Sequence, residues 1–177
     1  RVWKAVQELQ GFHILVNNAM DMSLGGQIMK TTVGALDSQY QVAVRGAFLG
    51  IHAFVPGMLQ GRHGVVTYLS TRFCYPSASN YCAAKAATSS MMTSLAGELG
   101  PVKDNGVAVF QFVPTVIGRP RTATVNPTGR DASPEVPGYG NRPIPPEDAG
   151  AALAYCIVHA AEIHGSGVNC SQAMKRM

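Results

Sequence analysis

The sequence is short of charge. Only 14% of its 177 residues are Asp, Glu, Lys or Arg, and the formal net charge is +4. The lysines and arginines are scattered, with no basic run and no aromatic-interleaved patch. Nothing there points to nucleic acid, and at most a mild preference for small anions follows. Cysteine is scarce as well. Cys74, Cys82, Cys156 and Cys170 form no C-x-x-C pair and no zinc spacing. That excludes a zinc knuckle and argues for reduced thiols in a cytoplasmic protein over a disulfide scaffold. Cys156 and His159 share a helix face, but two weak ligands do not make a metal site, so core packing is expected and no metal. A Gly-x-Ser-x-Gly elbow is missing, and no His and acid fall at suggestive places, which leaves a serine hydrolase unsupported. No apolar run reaches spanning length: Ala47 to Leu59 is interrupted by His52 and Pro56, so no membrane partner is expected. The chain opens on Arg1-Val2-Trp3-Lys4-Ala5-Val6 without an initiator Met or a signal peptide, as if entered in mid-helix.

What is present is an apolar content of 46%, enough for one domain with a real core across residues 1–177. Residues 1–10 read as the end of a helix, with Val2, Val6 and Leu9 on one stripe, stopped by Gly11. His13-Ile14-Leu15-Val16 is a short apolar strand, suited to burial on both faces in a parallel sheet. A helix is expected from Leu36 to about Met58, since Leu36, Tyr40, Val44, Phe48, Ile51, Val55 and Met58 recur at helical spacing. Pro56 should kink or end it. Gly46 and Gly50, four apart, either let another helix approach or ease packing on the sheet. Residues 65–70 form the next strand. A helix from Tyr81 to about Leu99 follows, with Ala87, Met91, Leu95 and Leu99 as its buried stripe. Val107 to Val113 is a third strand. Residues 114–146 are a long Pro- and Gly-bearing stretch, read as a substrate lid; its Arg119, Arg121, Arg130 and Arg142 are read singly as solvated surface. A last helix over 147–161, with Ala149, Ala152, Leu153 and Cys156 inward, leads to a short strand within 165–170. The order predicts an α/β fold: a partial, Rossmann-like doubly wound parallel sheet of about four strands with flanking helices.

One stretch carries chemistry. Tyr81-Cys82-Ala83-Ala84-Lys85 reads Tyr-x-x-x-Lys, and residues four apart share a helix face. A lysine ammonium beside a phenol favours the phenolate. A phenol so tuned can pass a proton to or from a carbonyl or hydroxyl near neutral pH. Ser70 and Thr71 follow the strand just upstream, where a hydroxyl could hold the same substrate oxygen. Alone, the pattern is short enough to be an ordinary amphipathic helix.

The context is more specific. A strand ending in Ser, a loop, then Tyr81 and Lys85 opening a helix rich in Ala83, Ala84, Ala86 and Ala87 resembles the short-chain dehydrogenase/reductase family. Leu15-Val16-Asn17-Asn18-Ala19 resembles its Asn-Asn-Ala-Gly strand end, Ala43 to Gly50 its central helix, and Pro145-Pro146-Glu147-Asp148-Ala149 the start of its last helix. The motifs stand in family order over almost the whole chain, in the short single-domain branch. The resemblance implies an oxidoreductase that uses NAD or NADP to interconvert an alcohol and a carbonyl. By the same resemblance Tyr81 is the acid/base, Lys85 lowers its pKa and touches the nicotinamide ribose, and Ser70 positions the substrate oxygen, with Thr71 as the alternative. Asn17, Ala19, Pro114 and Ile117 line the nicotinamide half of the crevice. The partners implied are a small alcohol or carbonyl and a second copy of the chain, paired through the helices over 36–58 and 81–99. An epimerase using the same Tyr-x-x-x-Lys is less well matched, because of Asn17-Asn18-Ala19.

The departures from the family are as informative. Its glycine-rich phosphate turn, Thr-Gly-x-x-x-Gly-x-Gly, does not occur, so the chain looks like a member lacking that first portion, and the choice of NAD or NADP is unreadable. Met20 stands where the family has Gly, Thr115 where it has the Gly of Pro-Gly, and Ala43 where it usually has a proton-relay Asn. These departures support a second expectation, a catalytically impaired relative kept for binding or assembly.

Overall fold

In the computed structural model the described residues are 11–21, 26–71, 76–114, 117 and 144–177. Four strands, β1 (Ile14–Asn17), β2 (Gly64–Leu69), β3 (Val107–Val113) and β4 (Gly167–Asn169), form one sheet in the order β1-β2-β3-β4. Every neighbouring pair is parallel. Parallel neighbours need crossover connections, and here these are helical. Helices α1 (Val33–Gln39) and α2 (Gly46–Gln60) join β1 to β2, α3 (Ser79–Leu99) and the short α4 (Val102–Asn105) join β2 to β3, and α5 (Pro146–Val158) leads to β4 and a closing α6 (Cys170–Met174). This is the partial Rossmann-like sheet that the pattern predicts.

Alternation along the strands divides the core. Val66 and Tyr68 of β2, with Val107 and Val109 of β3, face one side, where Val55 and Met58 of α2 and Met92 and Ala96 of α3 cover them. Ala108, Phe110 and Phe112 face the other, against Ala149, Ala152 and Cys156 of α5 and Cys170 and Ala173 of α6. Helix ends are fixed locally. The Thr32 side chain caps α1 by accepting from the Ala35 N–H at 3.1 Å. Pro146, Glu147 and Asp148 open α5, a rigid first position followed by acids at the positive end of the helix. Asn169 and Gln172 form a reciprocal capping box on α6.

Several expectations change. The central helix begins at Val33, and its segment Tyr40–Arg45 is wound as a π-helix. Pro56 does not end it: α2 runs on to Gln60, held to the sheet by Val55 and Met58 on either side of the proline. The continuous run Val33–Gln60, 28 residues with a mean hydropathy of 1.5 in its most apolar window, is therefore long and apolar enough to cross a membrane by length and composition, contrary to the expectation from residues 47–59. Here it lies against β1 and β2. The buried stripe of α3 falls on Ala84, Thr88, Met92 and Ala96, one residue later than the apolar periodicity suggests, because Lys85 and Thr88 turn inward. Leu95 and Leu99 pack at the margin of the core. β1 is not buried on both faces: it is an edge strand, and Ile14 and Val16 are 51% and 40% exposed. The expected helix over residues 1–10 and most of the stretch 114–146 lie outside the described residues. Within that stretch Ile117 and Ile144 are bridged to each other.

Candidate active site

The carboxyl ends of β1, β2 and β3 lie side by side, and each ends on a residue singled out in the sequence. Asn17 closes β1, Ser70 follows β2 and Pro114 follows β3. Ligands of open α/β sheets sit at this edge. Asn17 pairs in register with Tyr68, and its amide donates to the Thr67 carbonyl at 3.4 Å. Gly50 of α2 backs it closely; a Cβ there would come within 3.3 Å of Asn17 Oδ1. That is the sheet-packing role for this glycine. Ala19 is exposed beyond Asn17, and Ile117 is exposed beyond Pro114.

Tyr81 and Lys85 enter from α3, one turn apart. Lys85 is 5% exposed. Its Nζ donates to the Leu69 carbonyl at the end of β2 and stands 4.7 Å from the Tyr68 ring centroid and 5.6 Å from that of Tyr81. Among the described residues no carboxylate pairs with it. Burial pushes its amine down to about 8.

The Ser70 hydroxyl is engaged elsewhere. It lies 2.6 Å from the Ser89 hydroxyl and 3.5 Å from the Thr71 carbonyl. Ser89 is two turns beyond Tyr81 on α3, about 12 Å along the helix axis. The structure thus brings Tyr81, Lys85 and the end of β2 together, while the Ser70 side chain is turned down the helix. Thr71, partly buried, is the next residue outward along the chain. Ala43 is 2% exposed inside the π-helical segment, and an alanine offers no side-chain hydrogen bond there.

Two features were not legible as functional. Tyr68 lies within the strand expected over residues 65–70, yet among the described residues its ring is the nearer to the lysine ammonium, and burial pushes its phenol far above the ordinary range. Its hydroxyl neighbours Thr88 but not in bonding geometry; the Thr88 proton goes to the Ala84 carbonyl at 2.9 Å. A tyrosine near the carboxyl end of an aliphatic strand was the available signal. The other is the fastening of the Tyr81 helix. Asn80, 6% exposed, donates to Thr31 Oγ1 at 2.8 Å, and Gly26 bridges Ala78, so the loop after β1 holds the start of α3.

Comparison with known proteins bears on the family and the fold. The family model for short chain dehydrogenases matches residues 1–130. An uncharacterized oxidoreductase of Staphylococcus aureus is 26% identical over 163 residues, which cover 90% of this chain and 64% of that protein. The chain thus spans a little under two thirds of the length of that curated relative. A 3-ketoacyl-ACP reductase from Sinorhizobium meliloti superposes with a TM-score of 0.75 at 24% identity, covering 99% of this chain and 74% of that one. An acetoin dehydrogenase from Salmonella typhimurium gives 0.76 at 23%, covering 96% and 67%. The chain belongs to the short-chain dehydrogenase family.

Proposed function

We propose that this chain carries the proton-transfer site of an NAD(P)-dependent oxidoreductase that interconverts an alcohol and a carbonyl. The observation that carries the reading is the meeting of Tyr81 and Lys85, one helix turn apart, at the carboxyl end of β2, with Nζ 5.6 Å from the Tyr81 ring centroid. Tyr81 is the acid/base toward the substrate oxygen. Lys85 supplies positive charge beside it, and its burial makes that charge count for more than it would in water. The residues present fit the nicotinamide end of the cofactor. An ammonium has three N–H donors, and the Leu69 carbonyl takes one, leaving donors for ribose hydroxyls. Asn17, Ala19, Pro114 and Ile117 would line the same crevice. When bound, the nicotinamide gives or takes the hydride; the chain positions the substrate and moves the proton.

For the second hydroxyl, Ser70 and Thr71 are the candidates. Ser70 is the proposed one and Thr71 the alternative; the Ser70 hydroxyl, 2.6 Å from Ser89, would have to turn to the substrate. Ser70→Ala should then cost more turnover than Thr71→Ala, and the reverse order would give the role to Thr71. The partners proposed are a small alcohol or carbonyl and a second copy of the chain. Exposed Leu36, Tyr40, Phe48 and Leu49 on the central helical run support the self-association.

The second reading, a relative kept for binding or assembly, is favoured by Ala43, Met20 and Thr115. One experiment separates the two: turnover of a broad panel of carbonyls and alcohols with NADH, NADPH and their oxidised forms, for the natural protein and for Tyr81→Phe. The first reading expects turnover that falls by roughly 100-fold or more in the variant, within the range of acid/base catalysis. No turnover with any pair, or equal turnover in the variant, supports the second.

A further inference from the structure

We propose that Tyr68 is a positioning residue for Lys85, holding the ammonium on its ring face at the carboxyl end of β2. The proposal rests on reading Tyr81 and Lys85 as the proton-transfer pair, and it concerns how that pair is held. Lys85 is almost fully buried. Its hydrogen bond to the Leu69 carbonyl satisfies one donor, and no acid among the described residues offsets its charge. A buried cation without a counter-ion needs another source of negative potential. The face of an aromatic ring is one, and it acts out to about 6 Å from the centroid. Tyr68 is the nearer of the two rings, at 4.7 Å against 5.6 Å for Tyr81. Among the described residues these two phenols, one on β2 and one on α3, are the titratable groups facing the amine.

The ring is also the better fixed. Tyr68 is 1% exposed and sits in the core with Val55, Met58, Val66 and Met92. Strand pairing to Asn17 on one side and to Gln111 on the other sets its backbone. Tyr81 has to meet a substrate, whereas Tyr68 is packed inside the core. The Tyr68 hydroxyl does not explain the choice of residue, since it is buried without a hydrogen-bond partner. An aliphatic side chain, as at Val66, would pack there without that cost. What tyrosine adds at this position is the ring face.

The test is a heteronuclear NMR titration of Lys85 Cε in the 177-residue chain, which needs no turnover. Tyr68→Phe keeps the ring and should leave the midpoint where it is in the parent chain. Tyr68→Leu removes the ring and should lower the midpoint by roughly half to one pH unit, the size of an exposed-to-buried cation–π contribution. Should Tyr68→Leu fail to fold, a ring-fluorinated phenylalanine at position 68 keeps the shape and drains the ring face, and should lower the midpoint in the same direction. A midpoint unchanged or raised in both ring-altered forms would overturn the proposal. So would a shift in Tyr68→Phe as large as that in Tyr68→Leu. Tyr81→Phe, which retains its ring but removes the phenol coupled to the amine, serves as the turnover control. If it leaves turnover intact while Tyr68→Leu still lowers the midpoint, the catalytic reading fails and the positioning role stands.

Discussion

The two ends of the sheet use polar side chains in opposite ways. At the amino end they close the backbone. Asn105 donates to the Leu99 carbonyl at 2.7 Å and accepts from the Val107 N–H at 2.7 Å, so one side chain clamps the turn into β3. Arg62 donates to the carbonyls of Asp104 and Lys103. His164 accepts from the Val109 N–H at 3.0 Å through Nδ1, which leaves Nε2–H to donate to the Ala96 carbonyl at 3.2 Å, stapling β3 to α3. At the carboxyl end and the start of α3 the hydroxyls of Thr67, Tyr68 and Ser79 are buried without partners, and a buried lysine has no counter-ion among the described residues. Unsatisfied buried polar groups cost stability. The polar groups gathered at the amino end are satisfied, whereas Thr67, Tyr68, Ser79 and Lys85 carry a desolvation cost that the fold does not offset with partners among the described residues.

The difference can be broken first at the amino end. Gly106 has φ of +79°, and a Cβ there would collide with the Arg62 carbonyl. Gly106→Ala should destabilise by roughly 3 kcal/mol or more, combining a left-handed backbone with a backbone clash. Urea unfolding would measure it, and a loss below about 1 kcal/mol would mean that the Arg62–Gly106 turn is soft. His164→Ala comes next. It strands the Val109 N–H inside the sheet and should cost about 2 kcal/mol, again read by unfolding, with the Tyr81–Lys85 geometry untouched.

The sequence made much of this readable, unevenly. β3 was fixed to the residue, because Val107 to Val113 is continuously apolar and bounded by Gly106 and Pro114. The parallel order followed from alternating strands and helices. β1 was legible as an apolar parallel strand, and the exposure of Ile14 and Val16 goes with its place at the edge of the described sheet. The helix through Pro56 was legible to within two residues of its end at Gln60, since the apolar spacing of Val55 and Met58 carries past the proline and tertiary packing outweighs a local breaker. Tyr81 and Lys85 were legible from a four-residue spacing and a helix. The direction of the Ser70 hydroxyl was not, because it depends on Ser89, nineteen residues on. Tyr68 was invisible for the same reason: its role lies in a distance to another element.

At the carboxyl end the sign of the effect should reverse. Tyr68→Phe deletes a buried hydroxyl without a partner and should raise stability by up to about 1 kcal/mol; a loss of that size would mean that the hydroxyl is bonded in solution. Lys85→Met should act likewise, and it carries a pH signature. Burial pushes the Lys85 amine down from 10.5 to about 8, so the unfolded chain holds this proton to a higher pH than the folded one. Below pH 8 both states are charged and the folded state bears the full cost. Between the two values the folded state sheds its proton first, and the cost fades as pH rises.

The most direct measurement is therefore thermal unfolding of the chain and of Lys85→Met, side by side at pH 7 and near pH 10.5. If the carboxyl end holds a costly charge kept for chemistry, the variant melts above the parent at pH 7, by about 1 kcal/mol of stability, and the advantage disappears at the higher pH. A variant that melts below the parent by the same margin at both values would show that Lys85 is a structural member like His164, and would contradict the account.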